Sequence, residues 1–530
     1  MNARIVVPIV VLLLVAGGLV YLFTMGTSDA LDQGLLVFGR GADSKSLDPA
    51  AIDDGESVKV VDNLYDTLAK IAFDPQQGRL VTRPHLAEKW EPLPDGKPGL
   101  KITLKPNLKF HDGTSCDAAA VVFSLKRLAG ADSKSPYKSF YATILVDALA
   151  APSALEVVIP TNVPDAQLLS NLSMFPASIV SPTAVAKHGA GFGTEAAVGT
   201  GAFKLKRWER NRRIELEPNP EYFAGAPTVK GLHFVEIADN NARVQALRNG
   251  DVSVADGLNT QDYEGIQASP TLKLKLRDPG REISLLYLAF NTKVAPFDNL
   301  KFRQALAHAV DKDKIALLYN GVATRAELAV PPGILGADPA FKGFPRDVEK
   351  AKTLLAESGV TTRALKLALM TNPRPYILQP KEVARAIADA FKDLGLEVTL
   401  DEMPWATYLA HVKKGEHQMG LLGWSTDNGD ADNFLSTFYD SSNTEVGTAS
   451  NISFFQDKAM DALLERQRRS VVPDERRAAL DLTYRYANEQ APLVPIVYVK
   501  DSFAHHARVE GVELDPIGNL FMGFARIAKR

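Results

Sequence analysis

The first 30 residues set the strongest limit on what this chain builds. Met1 to Arg4 is a short basic start, and Ile5 to Phe23 (IVVPIVVLLLVAGGLVYLF) is 19 residues without a charge. A run of that length is about enough to span a bilayer, and it exceeds the usual apolar core of a secretion signal. Arg4 before the run and Asp29 and Asp32 after it favour an N-terminus that stays cytoplasmic. The large remainder is then expected to fold outside the cytoplasm. Ser28 and Ala30 are small residues at the positions a signal peptidase reads, so residues 1–30 fit either a cleaved signal peptide or a retained membrane anchor. No cysteine closes the apolar run, which excludes a lipid-modified N-terminus.

The rest of the chain is ordinary in composition. An apolar share of 46% against 23% charged residues supports a large core and excludes a mainly disordered protein. At about 150 residues per domain, a chain of 530 residues suggests roughly three structural units. Lysine and arginine number 60 against 63 acidic residues, so no charge surplus points to nucleic acid. Cys116 is the single cysteine, which rules out an intrachain disulfide and a cysteine-based metal site.

Short β-like runs alternate with amphipathic helices. Leu35 to Phe38, Lys101 to Leu104 (KITL) and Arg213 to Leu216 (RIEL) read as strands. Helical spacing places Phe302, Leu306, Ala309 and Val310 on one face of Asn299 to Asn320. It also places Val383, Ile387, Phe391 and Leu394 on one stripe of Lys381 to Leu394, with Gly395 as its cap. Pro473 to Gln490 forms another long helix with an acidic start. The mixture indicates an α/β or α+β protein with several lobes.

Four segments stand out. Phe110-His111-Asp112-Gly113-Thr114 is a turn between a strand and a helix starting near Asp117, and its His-Asp pair reads better as a turn closure than as acid/base chemistry. Gly199-Thr200-Gly201 lets backbone approach a neighbour closely but lacks the lysine and spacing of a phosphate loop. Tyr287 to Thr292, then Pro296 to Ala305, reads as a buried strand, a turn and a helix capped by Asp298 or Asn299. Gly423 to Asn433 (GWSTDNGDADN) packs three aspartates and two asparagines into a turn after the apolar strand Met419 to Leu422. It lacks the order of a calcium loop, whereas a carboxylate beside an indole suits an ammonium group.

Taken in order, these segments resemble the extracytoplasmic solute-binding proteins of peptide ABC importers, the large dipeptide- and oligopeptide-binding family 5. Ala87-Glu88-Lys89-Trp90-Glu91 and Asn219-Pro220-Glu221-Tyr222-Phe223 belong to the same pattern, which runs from about Leu35 to the C-terminus. Arg374-Pro375-Tyr376 and the Trp424 to Asn433 loop are closest to the dipeptide-binding branch. The resemblance departs from the family at Ala202, where proline is usual, and in Ser115 to Ala120, which is less acidic than the usual helix start.

The resemblance implies an α/β, two-lobed periplasmic-binding-protein fold, type II-like, with an extra inserted domain behind the N-terminal apolar helix. Domain I is then discontinuous (31–63, 205–282 and 504–530), domain II is an insertion at 64–204, and domain III spans 283–503. Asp427, paired with Trp424, is expected to accept the α-ammonium of a short peptide, and Arg374 to clamp its carboxylate. Tyr376 and Trp405 would wall side-chain pockets, and the backbone of Gly199, Thr200 and Gly201 would pair with the ligand main chain. An exposed loop role for Arg374 and a packing role for Trp424 are the competing readings.

The function expected is capture of short peptides, dipeptides above all, between two lobes and delivery to inner-membrane permease subunits. The protein would be a monomer, in the periplasm or on the outer face of the cytoplasmic membrane, with no cofactor, metal or nucleic acid. The same fold binding an oligopeptide, haem, a sugar or a nickel complex is the alternative. An exported hydrolase is a third reading, against which stands the lack of H-E-x-x-H, G-x-S-x-G and cysteine–histidine motifs.

Overall fold

The strand Ser284–Phe290 (SLLYLAF) is buried at every position, which requires partners on both edges and cover on both faces. In the computed structural model, which describes residues 27–529, it has both partners: Met419–Ser425 and Leu493–Val499 flank it, each antiparallel. The full sheet has six strands, in the order Ala323–Arg325, Leu493–Val499, Ser284–Phe290, Met419–Ser425, Ala364–Met370, Glu397–Met403. The last three run parallel to one another. Parallel neighbours need a crossover, and the helix Pro380–Lys392 supplies it between Ala364–Met370 and Glu397–Met403. Its apolar stripe, Val383, Ile387 and Phe391, is fully buried.

A seven-stranded sheet draws on distant parts of the chain. Leu35–Arg40 pairs in parallel with Gly231–Glu236 on one side and Val254–Asp256 on the other. Arg213–Pro218 and Phe203–Glu209 extend it beyond the first neighbour, and Ser502–His506 and then Leu272–Leu276 beyond the second. A four-stranded antiparallel sheet, in the order Ala87–Pro92, Gly99–Leu104, Glu156–Pro160, Ala150–Ser153, packs against the helix Ala118–Ala129. Ile102, Leu104, Val121, Leu125, Val157 and Ile159 close the core between them.

The chain passes between the seven- and six-stranded sheets twice, at 277–283 and 500–501. Arg277 ties the two crossings together: its N–H donates to the Asp501 carbonyl at 3.0 Å and its Nε to the Asp501 carboxylate at 2.8 Å.

Local signals placed most elements. Asp117 accepts from Ala120 N and Asn299 from Phe302 N, so both cap the helices they precede. The expected helix over Asn299 to Asn320 is corrected: it is two helices, Leu300–Ala309 and Lys312–Leu317. Val310 is extended there, and the Asp311 side chain accepts from Lys314 N, starting a new helix instead of continuing the old one. The strand expected at Met419 to Leu422 runs on to Ser425, so Trp424 stands on the strand itself. The apolar run Ile5 to Phe23 lies outside the described residues. Among the described residues, no helix is long and apolar enough to cross a membrane.

Candidate functional site

Three parallel strands of the six-stranded sheet end on one edge, at Met370, Met403 and Ser425. The residues that follow them are Arg374 and Tyr376, Trp405, and Asp427. In open α/β sheets this carboxyl edge is where ligands bind, because the loops there converge while the strands hold them rigidly. Four residues singled out from the sequence therefore follow strands that end on one sheet edge, although more than 50 residues separate Arg374 from Asp427 along the chain.

Arg374 is held by an aromatic chain. Its guanidinium lies 3.9 Å from the centre of the Trp405 ring. Trp405 stacks on Tyr408 at 6.1 Å, and the Tyr408 hydroxyl donates to the Leu421 carbonyl in the strand Met419–Ser425. Among the described residues Arg374 pairs with no carboxylate, and its Nε has no hydrogen-bond partner. Burial holds its pKa below the ordinary value. A guanidinium stacked on an indole keeps its N–H edge for a second group, and a carboxylate matches that edge with two parallel bonds. Tyr376 lies flat against the same strand: a Cβ on Gly423 would stand 2.2 Å from Tyr376 Cγ. Only glycine leaves room for the ring at that position.

Asp427 is half-buried and has no cation within ion-pair distance among the described residues. Burial pushes its carboxyl up to about 6. Its neighbours are differently placed. Asp430 receives both Nη atoms of Arg476 at 2.7 Å, and Asp432 receives Arg468 Nε at 2.9 Å together with the Gln467 amide. The acidic turn thus divides into two carboxylates paired with arginines and one with no paired cation among the described residues. Trp424 donates from Nε1 to Asn433 Oδ1 at 2.8 Å, and Asp427 N reaches the same oxygen at 3.4 Å, so the indole fixes the loop that carries Asp427.

The loop also faces the other side of the molecule. Asn428 Nδ2 donates to Asn171 Oδ1 at 2.8 Å, and Ala166 N to the Arg468 carbonyl at 2.9 Å. The Asp427 charge adds to burial in raising the pKa of Tyr137 and Tyr141, which come from the helix-and-sheet unit opposite. Asp427 therefore stands where the two sides of the molecule meet, within electrostatic reach of Tyr137, a residue that the sequence did not single out.

Backbone groups of Gly199 and Gly201 and the Thr200 hydroxyl are bonded within the protein. Gly199 O accepts from His111 N at 2.9 Å, Gly201 N donates to Leu64 O at 3.0 Å, and Gly201 O accepts from Asn219 Nδ2 at 3.0 Å. A Cβ at Gly199 or Gly201 would strike Leu64 backbone atoms at 2.3 and 2.4 Å. The Thr200 hydroxyl donates to Asp66 at 2.8 Å. Asp66, also missed in the sequence, further receives His85 Nε2 at 2.6 Å and the Tyr222 hydroxyl at 3.1 Å. Burial alone would raise its pKa, but His85, Lys70 and Thr200 together hold it well below the carboxylate range. His111 and Asp112 close their turn, Asp112 accepting from Thr114 and Ser181.

Comparison with known proteins adds to this geometry. The model of the bacterial extracellular solute-binding proteins, family 5 Middle, matches residues 82–445. Di/tripeptide-binding protein 4 of Pseudomonas aeruginosa (strain UCBPP-PA14) is 29% identical over 85% of this chain and 87% of its own length. Heme-binding protein A of Haemophilus influenzae is 30% identical over 89% of this chain and 88% of its own. Among solved structures, the ABC transporter-associated periplasmic binding protein DppA from Helicobacter pylori, in complex with the peptide STSA, is 27% identical. It superposes with a TM-score of 0.76 over 93% of this chain and 98% of its own.

Proposed function

The chain belongs to the bacterial extracellular solute-binding proteins of family 5, and from that premise we propose that it captures short unblocked peptides, dipeptides above all, for an inner-membrane ABC permease. Its relatives are two-lobed binding proteins, and it is a binding protein, not an enzyme. The observation that carries the peptide reading is the pair of unneutralised charges on one sheet edge. Among the described residues Asp427 has no paired cation and Arg374 no paired anion, and a peptide supplies both at its two ends. In this reading the ammonium sits on Asp427 beside Trp424, the carboxylate on Arg374, and Trp405 and Tyr376 line the space between. The separation of the two charges selects ligand length. Gly199, Thr200 and Gly201 are assigned to support of the cleft, since backbone groups of Gly199 and Gly201 and the Thr200 hydroxyl are engaged within the protein.

The three-domain division belongs to the same proposal. Domain I (31–63, 205–282 and 504–530) is built on the seven-stranded sheet, domain II (64–204) on the four-stranded sheet, and domain III (283–503) on the six-stranded sheet. A ligand touching domains on both sides of the cleft favours closure, which presents one surface to the permease. Placement outside the cytoplasm, with residues 1–30 as anchor or cleaved signal, completes it.

Thermal shift with dipeptides, tripeptides, tetrapeptides, free amino acids, sugars and haem tests the reading, because a ligand that binds the folded state raises its melting temperature. Free dipeptides should give the largest rise, and N-acetylated or C-amidated forms almost none. A rise with haem or a sugar and none with any free peptide would overturn it.

A further inference from the structure

Beside the two crossing segments lies a crevice of about 1090 Å³ that shares no residue with the Asp427–Arg374 site. Its walls come from both sides of the crossing. Arg79 belongs to the strand Arg79–Pro84 of the first side, Gly280 and Glu282 to the crossing itself, and Thr324, Phe341 and Arg477 to the second side. The two sides already meet at its floor, where Leu80 N donates to the Gly333 carbonyl at 2.7 Å.

The charges on these walls are incompletely matched. Arg325 is paired with Glu327 at 2.9 Å, and Asp481 with Arg485 at 2.9 Å. Arg79 pairs with no carboxylate among the described residues. Among the described residues Arg477 reaches only Asp474, at 3.9 Å, and that carboxylate is almost wholly in solvent. Arg79 and Arg477 both line the crevice, and burial, and after it the charge of Arg477, holds the Arg79 pKa below its ordinary value. Glu282 is the reverse case. It is 1% exposed, and among the described residues one carboxylate oxygen faces only the Thr324 hydroxyl, at 3.4 Å, and Oε2 has no partner. A buried acceptor left without a donor is costly unless something fills the position.

We propose that this crevice is a second ligand site, for a small zwitterion whose anionic end lies between Arg79 and Arg477 and whose ammonium end lies on Glu282. The site is independent of the peptide reading. Because its two arginines come from opposite sides of the crossing, an anion between them removes their repulsion and favours the closed arrangement. Occupancy of the crevice then strengthens ligand binding in the main cleft, and the reverse holds by linkage.

Isothermal titration with a series of ω-amino acids, from glycine to 6-aminohexanoate, tests this. At least one chain length should bind saturably to the native protein, and still bind after Asp427→Asn and Arg374→Gln together. Glu282→Gln, which keeps shape and removes charge, should abolish that binding, and Arg79→Gln should weaken it by about tenfold or more. Circular dichroism confirms that each variant is folded; if Glu282→Gln is not, Arg79→Gln with Arg477→Gln takes its place. Absence of saturable binding along the whole series, binding unaffected by these changes, or binding lost with Asp427 and Arg374 would each overturn the proposal. If the native protein binds no peptide yet binds a zwitterion through Glu282, the peptide reading falls and this one stands.

Discussion

Asp66 and Asp427 are both carboxylates enclosed by protein, and the fold treats them in opposite ways. Asp66 receives His85, Thr200 and Tyr222 and has Lys70 at 3.7 Å, so its negative charge is matched several times over. Asp427 shares its turn with Asp430 and Asp432, yet Arg476 and Arg468 go to those two carboxylates. The first carboxylate fixes a junction: Thr200 and Tyr222 reach it from 134 and 156 residues away. The second is left wanting a cation. On the proposed reading, structure is where donors and acceptors are matched within the chain, and the ligand site is where matching is withheld.

The strongest way to break this contrast is to remove the junction. Asp66→Ala leaves the His85, Thr200 and Tyr222 donors buried without an acceptor, and should cost about 3–5 kcal/mol of stability in urea unfolding. A loss under about 1 kcal/mol would mean that the network holds nothing together.

Asp427→Asn should do the converse. Losing one partner of an enclosed charge pair costs on the order of 2–4 kcal/mol of binding, a roughly 30- to 1,000-fold drop in peptide affinity by titration calorimetry. Stability of the ligand-free chain at neutral pH should hold or rise, because burial disfavours the charged form there. A large stability loss would place Asp427 with Asp66.

The mildest test is pH. The free Asp427 carboxyl titrates near 6 because burial raises it, and only its charged form attracts an ammonium. Peptide affinity should be flat well above pH 6 and weaken by about tenfold per unit below it, with proton release on binding near pH 6. Asp427→Asn should remove the slope. A slope centred near pH 4 would show that the carboxylate is not shielded as described.

How much of this was legible in the sequence follows the same line. Asp427 could be found because Trp424, the strand before it and the turn residues after it are neighbours in the chain. Caps such as Asp117 and Asn299 were legible for that reason too. Arg374 and Trp405 were legible singly, but the stack between them depends on two strands lying side by side, which no local pattern states. Gly199 and Gly201 looked like backbone open to a ligand, since nothing local states that Leu64, His111 and Asn219 fold back to occupy them. Asp66 gave no sign at all. The break at Val310 was hidden because Asp311 suits the polar face of a longer helix as well as the start of a new one.

The order of strands in the seven-stranded sheet bears on how the protein is made. Leu272–Leu276 joins that sheet only through Ser502–His506, near the end of the chain. The six-stranded sheet needs nothing beyond Val499. As the polypeptide emerges from N- to C-terminus, the later-encoded lobe has all of its strands available first, while the lobe that began earlier waits with an unfinished edge. That edge is a stretch of unpaired backbone of the kind that aggregates. Truncation a few tens of residues from the C-terminus should therefore injure the part of the protein made at the outset and spare the part made in between.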